Sequence, residues 1–104
     1  MKFDEFWAAL CKKTSGGFES QTLTQKHPFT ATYASPKIVV KVGNTKGERP
    51  ISFSEFYKVW VVASKLPKHE VFIPNNYQDE TFHSSYIVSM MKTILGEEEI
   101  EERI

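Results

Sequence analysis

Apolar and polar residues alternate with two different periods along this chain. Phe3, Phe6, Trp7 and Leu10 recur at three- and four-residue spacing, which gathers them on one helix face. The pattern predicts a helix over residues 2–13. Lys12 and Lys13 in its last turn suit the negative end of the helix dipole, and Gly16-Gly17 stops it. Trp7 reads as a core anchor between Phe3 and Leu10, with a binding-site aromatic as the other reading. From Phe18 the period shortens to two. Phe18 to Thr24 predicts a weak first strand, closed by the turn Gln25-Lys26-His27-Pro28. In the next run Phe29, Ala31 and Tyr33 share one face and the two threonines the other. After Ser35-Pro36, Lys37 to Val42 turns Ile38, Val40 and Val42 inward and Lys37, Val39 and Lys41 outward. Turns this short join antiparallel strands, so a three-stranded meander with one wet face is expected.

Residues 43–50 read as a loop, with Gly43 and Gly47 serving turn geometry. Ser52 and Glu55 then form a capping box, and Ile51 with Phe56 the spacing of a hydrophobic staple. A helix over about 53–64 follows, with Phe53, Phe56, Trp60 and Ala63 on its buried side. Val59, Val61 and Val62 lower helix propensity, but cap and periodicity outweigh them. Val71-Phe72-Ile73 predicts a short extended segment. The last helix is expected over about 80–95, with Tyr86, Ile87, Met90, Met91, Ile94 and Leu95 as its stripe and Gly96 as its cap. The fold class is therefore α+β: an N-terminal helix, a three-stranded antiparallel meander and two C-terminal helices packed on the sheet. The domain is expected to span 1–96, followed by an acidic tail, 97–104, too charged to pack.

Composition narrows the classes. The 104 residues fit one domain, and 13% aromatics suffice for a core, which excludes a disordered chain. A single cysteine excludes a disulfide scaffold. No apolar run approaches the ~18 residues of a membrane span. The acidic start, Met1-Lys2-Phe3-Asp4-Glu5, is unlike a signal peptide, so a cytoplasmic protein with Cys11 reduced is expected.

Candidate chemistry is sparse. His27, His69 and His83 lie far apart in sequence, and a second cysteine is missing, so no metal site is expected. Cys11 falls at the edge of an apolar stripe and reads as an inert buried thiol rather than a nucleophile. The loop 43–49 lacks the ending and spacing of a phosphate-binding or dinucleotide-binding loop, and no cofactor is expected. Ser84 and Ser85 open the last helix, either as caps or as holders of an anion. No catalytic residues emerge, so a non-enzymatic role is expected.

Charge changes the picture. The formal net charge is zero, yet Lys12 to Lys68 holds ten basic residues against three acids. The end, 97–104, is −4 and the body +4. Lys37 and Lys41 on one strand face, with Lys46 and Arg49 in the following loop, are a candidate basic strip for phosphate backbones. The competing reading is an ordinary solvated sheet face with Lys37 blocking edge pairing. The acidic end reads as a solubility tail or a mimic of nucleic acid.

Three stretches resemble a class of small uncharacterised bacterial domains. These are Thr22-Leu23 with Pro28-Phe29-Thr30 and Lys37-Ile38-Val39-Val40; Arg49-Pro50-Ile51-Ser52 through Trp60; and Ser84-Ser85-Tyr86-Ile87-Val88. Such domains occur in integron gene cassettes and other mobile-element or defence neighbourhoods. His83 stands where their pattern has Asn, and Phe53 where Arg is frequent, which removes a phosphate contact. The resemblance implies a mobile-element protein and carries over no catalytic residue. The expected function is a non-enzymatic adaptor contacting nucleic acid through Lys37, Lys41, Lys46 and Arg49. The alternative is a protein–protein or self-association module, with Met90-Met91 extending an apolar surface.

Overall fold

The computed structural model describes residues 1–43, 47–96 and 98–100. Helix α1 (Phe3–Thr14) buries Phe3, Phe6 and Leu10, as its spacing requires, and leaves Trp7 half-buried at the core's edge. Past its end, Gly17 takes φ +90°, a left-handed conformation that glycine adopts without penalty. A Cβ there would meet only Thr32 Oγ1 at 3.8 Å. Gly17→Ala is therefore expected to cost about 1–2 kcal/mol through the backbone alone. A urea unfolding curve checks it, and an unchanged midpoint would contradict the strain.

Strands β1 (Phe18–Gln21), β2 (Pro28–Ala34), β3 (Lys37–Val42) and β4 (Glu48–Ser52) form one antiparallel sheet in the order β1-β2-β3-β4. The meander thus has four strands, not three. The fourth lies partly in the expected loop, because Glu48-Arg49-Pro50 reads as turn chemistry. Its proline is tolerated because β4 is an edge strand. The register turns Phe18, Phe29, Ala31, Tyr33, Ile38, Val40 and Ile51 toward the helices. The opposite face is covered by no helix or strand among the described residues.

Ser52 ends β4 and caps α2 (Phe53–Ala63): the Glu55 N–H donates to Ser52 Oγ at 3.3 Å, and the Ser52 N–H to Glu55 Oε2 at 3.0 Å. The capping box of the sequence is present as expected. Two 3₁₀ turns, Lys68–Glu70 and Pro74–Tyr77, bracket the segment expected to be extended. It is instead a turn: the Val71 carbonyl accepts from the buried Tyr77 hydroxyl at 2.6 Å, and burial pushes that phenol's pKa up.

Helix α3 (Ser84–Leu95) begins four residues later than expected and buries Ile87, Val88, Ser89, Met90, Met91 and Leu95. Ser89 Oγ donates to the Gln21 carbonyl at 2.7 Å and lies 3.3 Å from Ser20 Oγ, tying α3 to β1. Met90 and Met91 are fully buried. They extend no apolar surface, because α1, α2 and β1 all pack against this helix. The Met1 ammonium donates to the Glu99 carbonyl at 2.6 Å, and Ile100 packs on the core. The beginning of the acidic end therefore packs after all, through its one apolar described residue. No helix among the described residues is long and apolar enough to cross a membrane.

Candidate functional site

Helix α2 is unusually apolar for a helix at the surface. Phe56, Val59, Trp60 and Ala63 face the core. The outward side still carries Phe53, Tyr57, Val61 and Val62, with Ser54, Glu55 and Lys58 as the polar exceptions. A surface helix normally confines its apolar residues to one stripe. Phe53, expected on the buried side, is 45% exposed. It occupies the first helical position, where a side chain leans back over the helix start rather than into the core. Its ring meets Phe3 edge-on at 5.1 Å and Trp7 at 5.2 Å, while Tyr57 meets Phe3 at 5.1 Å. Trp7 is thus neither a buried anchor nor a free aromatic: it also touches Phe56 at 5.3 Å and props the outer ring cluster.

A loop, residues 78–83, walls the other flank of α2. Glu55 holds it there. Thr81 Oγ1 donates to Glu55 Oε1 at 2.9 Å, and His83 Nδ1 lies 2.9 Å from the same oxygen. A carboxylate only accepts, so Nδ1 carries the proton in this pair. The His83 N–H in turn donates to Thr81 Oγ1 at 2.9 Å. Burial alone would raise the Glu55 carboxyl. Hydrogen bonds from Ser52, His83 and Thr81, with the charge of His83, outweigh it and hold the carboxyl below the usual range. A depressed carboxyl stabilises the fold at pH above its unfolded value and loses that contribution as pH falls through its folded value. The loop is therefore expected to loosen on acidification below about pH 4.3, the ordinary glutamate value. Amide exchange at Thr81 and Phe82 from pH 7 to pH 3 measures it, and a flat profile would contradict the clamp.

Between α2 and this loop runs an open groove of about 430 Å³, lined by Tyr57, Lys58, Val61, Val62, Asp79 and Glu80. Two residues after Glu80 in the same loop, Phe82 is 100% exposed. A large apolar ring left wholly in solvent is uncommon beside a helix whose outward side is itself partly apolar. Lys58, Asp79 and Glu80 make no ion pair with one another among the described residues.

The basic strip is divided. Lys37 and Lys41 share the open sheet face, as expected. Arg49 pairs with the buried Val40 and so lies on the opposite face, its guanidinium 5.8 Å from the Tyr86 ring of α3. Lys46 lies outside the described residues. On the open face, Lys41 stands in a cross-strand row with Glu48 on one side, and Thr30 then Glu19 on the other. The row carries two acids against one lysine. Ser84 and Ser85 occupy the first turn of α3, but the cap position belongs to His83, which makes no side-chain cap bond. Its imidazole is committed to Glu55 instead. At Cys11 burial raises the thiol pKa, and a hydrogen bond with Tyr33 lowers it only in part. Among the described residues no group of three His, Cys, Asp or Glu can hold a metal. A second hollow, about 240 Å³, lies beneath residues 98–100 between the ends of α2 and α3, walled mainly by Ala63, Leu66, Val71, Phe72 and Leu95.

Sequence reasoning named Glu55 only as a cap and overlooked Phe82, Asp79, Glu80 and His83 as parts of a site. The available signal was α2 itself, whose Phe53, Tyr57, Val61 and Val62 are apolar beyond the stripe of Phe56, Val59, Trp60 and Ala63. Comparison with protein-family models, curated proteins and solved structures finds no match to this chain.

Proposed function

We propose that the chain is a non-enzymatic binding module whose docking surface for protein is the outer face of α2 with the 78–83 loop. The observation that carries this reading is the wholly exposed Phe82 in the same loop as Asp79 and Glu80, which line the groove together with Tyr57, Val61 and Val62. Phe53 and Tyr57 are held by Phe3 beneath them, and the loop by Glu55 through Thr81 and His83, before any partner arrives, which lowers the ordering cost of binding. An adaptor of a mobile-element protein remains the setting that the three motifs imply. The nucleic-acid reading retains Lys37 and Lys41, but Arg49 has left their face and Glu19 and Glu48 stand in the row of Lys41, which disfavours a phosphate track.

A photoactivatable phenylalanine analogue at position 82, and separately at Thr30 on the open sheet face, tests the reading in producing cells. Protein cross-links are expected from 82 and not from 30. Cross-links from 30 alone, to protein or nucleic acid, would overturn it.

A further inference from the structure

The patch on α2 has a property that a docking face for an unrelated protein does not require: it is complementary to itself. A two-fold contact brings the same patch together from both copies, so each feature must meet its complement within that patch. Here the complements lie side by side. Phe82 projects fully into solvent from the loop whose Asp79 and Glu80 line the groove opposite Tyr57, Val61 and Val62. Lys58 lies on one side of this groove, and Asp79 and Glu80 on the other, without an ion pair among them. Net charge opposes nothing, since the chain sums to zero with a pI near 6.8.

We infer that two copies of this chain associate through α2 about a two-fold axis, Phe82 of each entering the other's groove and Lys58 of each facing the other's Asp79 and Glu80. The inference rests on the docking face proposed above and names its occupant. One helix of 11 residues and one loop make a small interface, at or below the ~1,200 Å² of weak specific contacts. Dissociation in the micromolar range is the corresponding expectation, with exposed charges contributing orientation more than affinity.

Sedimentation equilibrium of the full chain from about 10 μM to 1 mM tests it. The unmodified chain is expected to pass from monomer to dimer across this range. Phe82→Ala, which removes a wholly exposed ring, is expected to weaken association at least about tenfold, as truncation of a central aromatic does. Lys58→Glu alone is expected to stay monomeric, because like charges then meet, and Glu80→Lys alone to associate more weakly than the unmodified chain, because Lys58 then faces one acid and one lysine. Mixed one to one, they are expected to form the dimer again. One contact then sets the new carboxylate of the first variant against the new ammonium of the second. The other contact keeps the original pair, Lys58 of the second variant against Glu80 of the first. That recovery excludes misfolding as the cause of the single defects. A monomer at every concentration, or a dimer indifferent to all three substitutions, would overturn the inference. In the first case cross-links from position 82 to another protein would leave the docking face standing; their absence would remove both.

Discussion

Phe3→Ala is expected to destabilise the domain by about 3–5 kcal/mol, the range for deleting a buried aromatic side chain. Phe3 is 1% exposed and its ring lies within 5.1–6.3 Å of five others: Phe6, Trp7, Phe53, Tyr57 and Trp60. Alanine leaves a cavity with rigid aromatic walls, and such walls collapse poorly into it. For a domain of this size each kcal/mol lowers the melting temperature by roughly 4–8 °C. Denaturant unfolding of the variant measures the loss. A loss below about 1 kcal/mol would show that α1 contributes little to the ring cluster. The consequence for the proposed docking face follows from the same contacts, because Phe53 and Tyr57 on the outer side of α2 rest on Phe3.

Glu55→Ala is expected to cost roughly 2–3 kcal/mol. Loss of a helix cap costs about 0.5–2 kcal/mol. Thr81 and His83 also lose their acceptor, and an unmet hydrogen-bonding group at a partly buried site adds about 1–3 kcal/mol, discounted here for solvent access. Both Glu55 and His83 keep about a quarter of their side-chain surface exposed, so the lower half of that range applies. Glu55→Gln keeps the shape and the acceptor oxygen while removing the charge. It is expected to cost about half as much and to abolish the acid dependence of the loop. Equal stability of the alanine and wild-type chains at pH 7 would refute the clamp; an acid dependence retained in the glutamine variant would assign it to another group.

Elements governed by local chemistry were legible in the sequence. The capping box at Ser52 and Glu55 depends on residues three apart, and the β2–β3 hairpin on strict alternation across a two-residue turn. What escaped depended on distant pairing. Strand β4 exists because Ile51 pairs with Ile38 and Arg49 with Val40, which outweighs the loop-like Glu48-Arg49-Pro50. The start of α3 moved to Ser84 because Thr81 and His83 are drawn to Glu55, up to 28 residues away. The outer face of α2 was hidden for a different reason. Periodicity finds the buried stripe, and apolar residues beyond that stripe look like noise until the structure leaves them uncovered. Arg49 joined the wrong face because a residue assigned to a loop has no defined side, whereas one in register with Val40 does.

Lysine labelling distinguishes most directly between the α2 face and the sheet face. Lys58 sits in the groove, while Lys37 and Lys41 stand on the open sheet, and all three are exposed in the free chain. Cells producing the chain are treated with a membrane-permeant acylating reagent, and the three positions are compared with the dilute purified chain. The expected result is protection of Lys58 in cells with Lys37 and Lys41 labelled as in the free chain. Protection of Lys37 and Lys41 with Lys58 fully labelled would contradict the account.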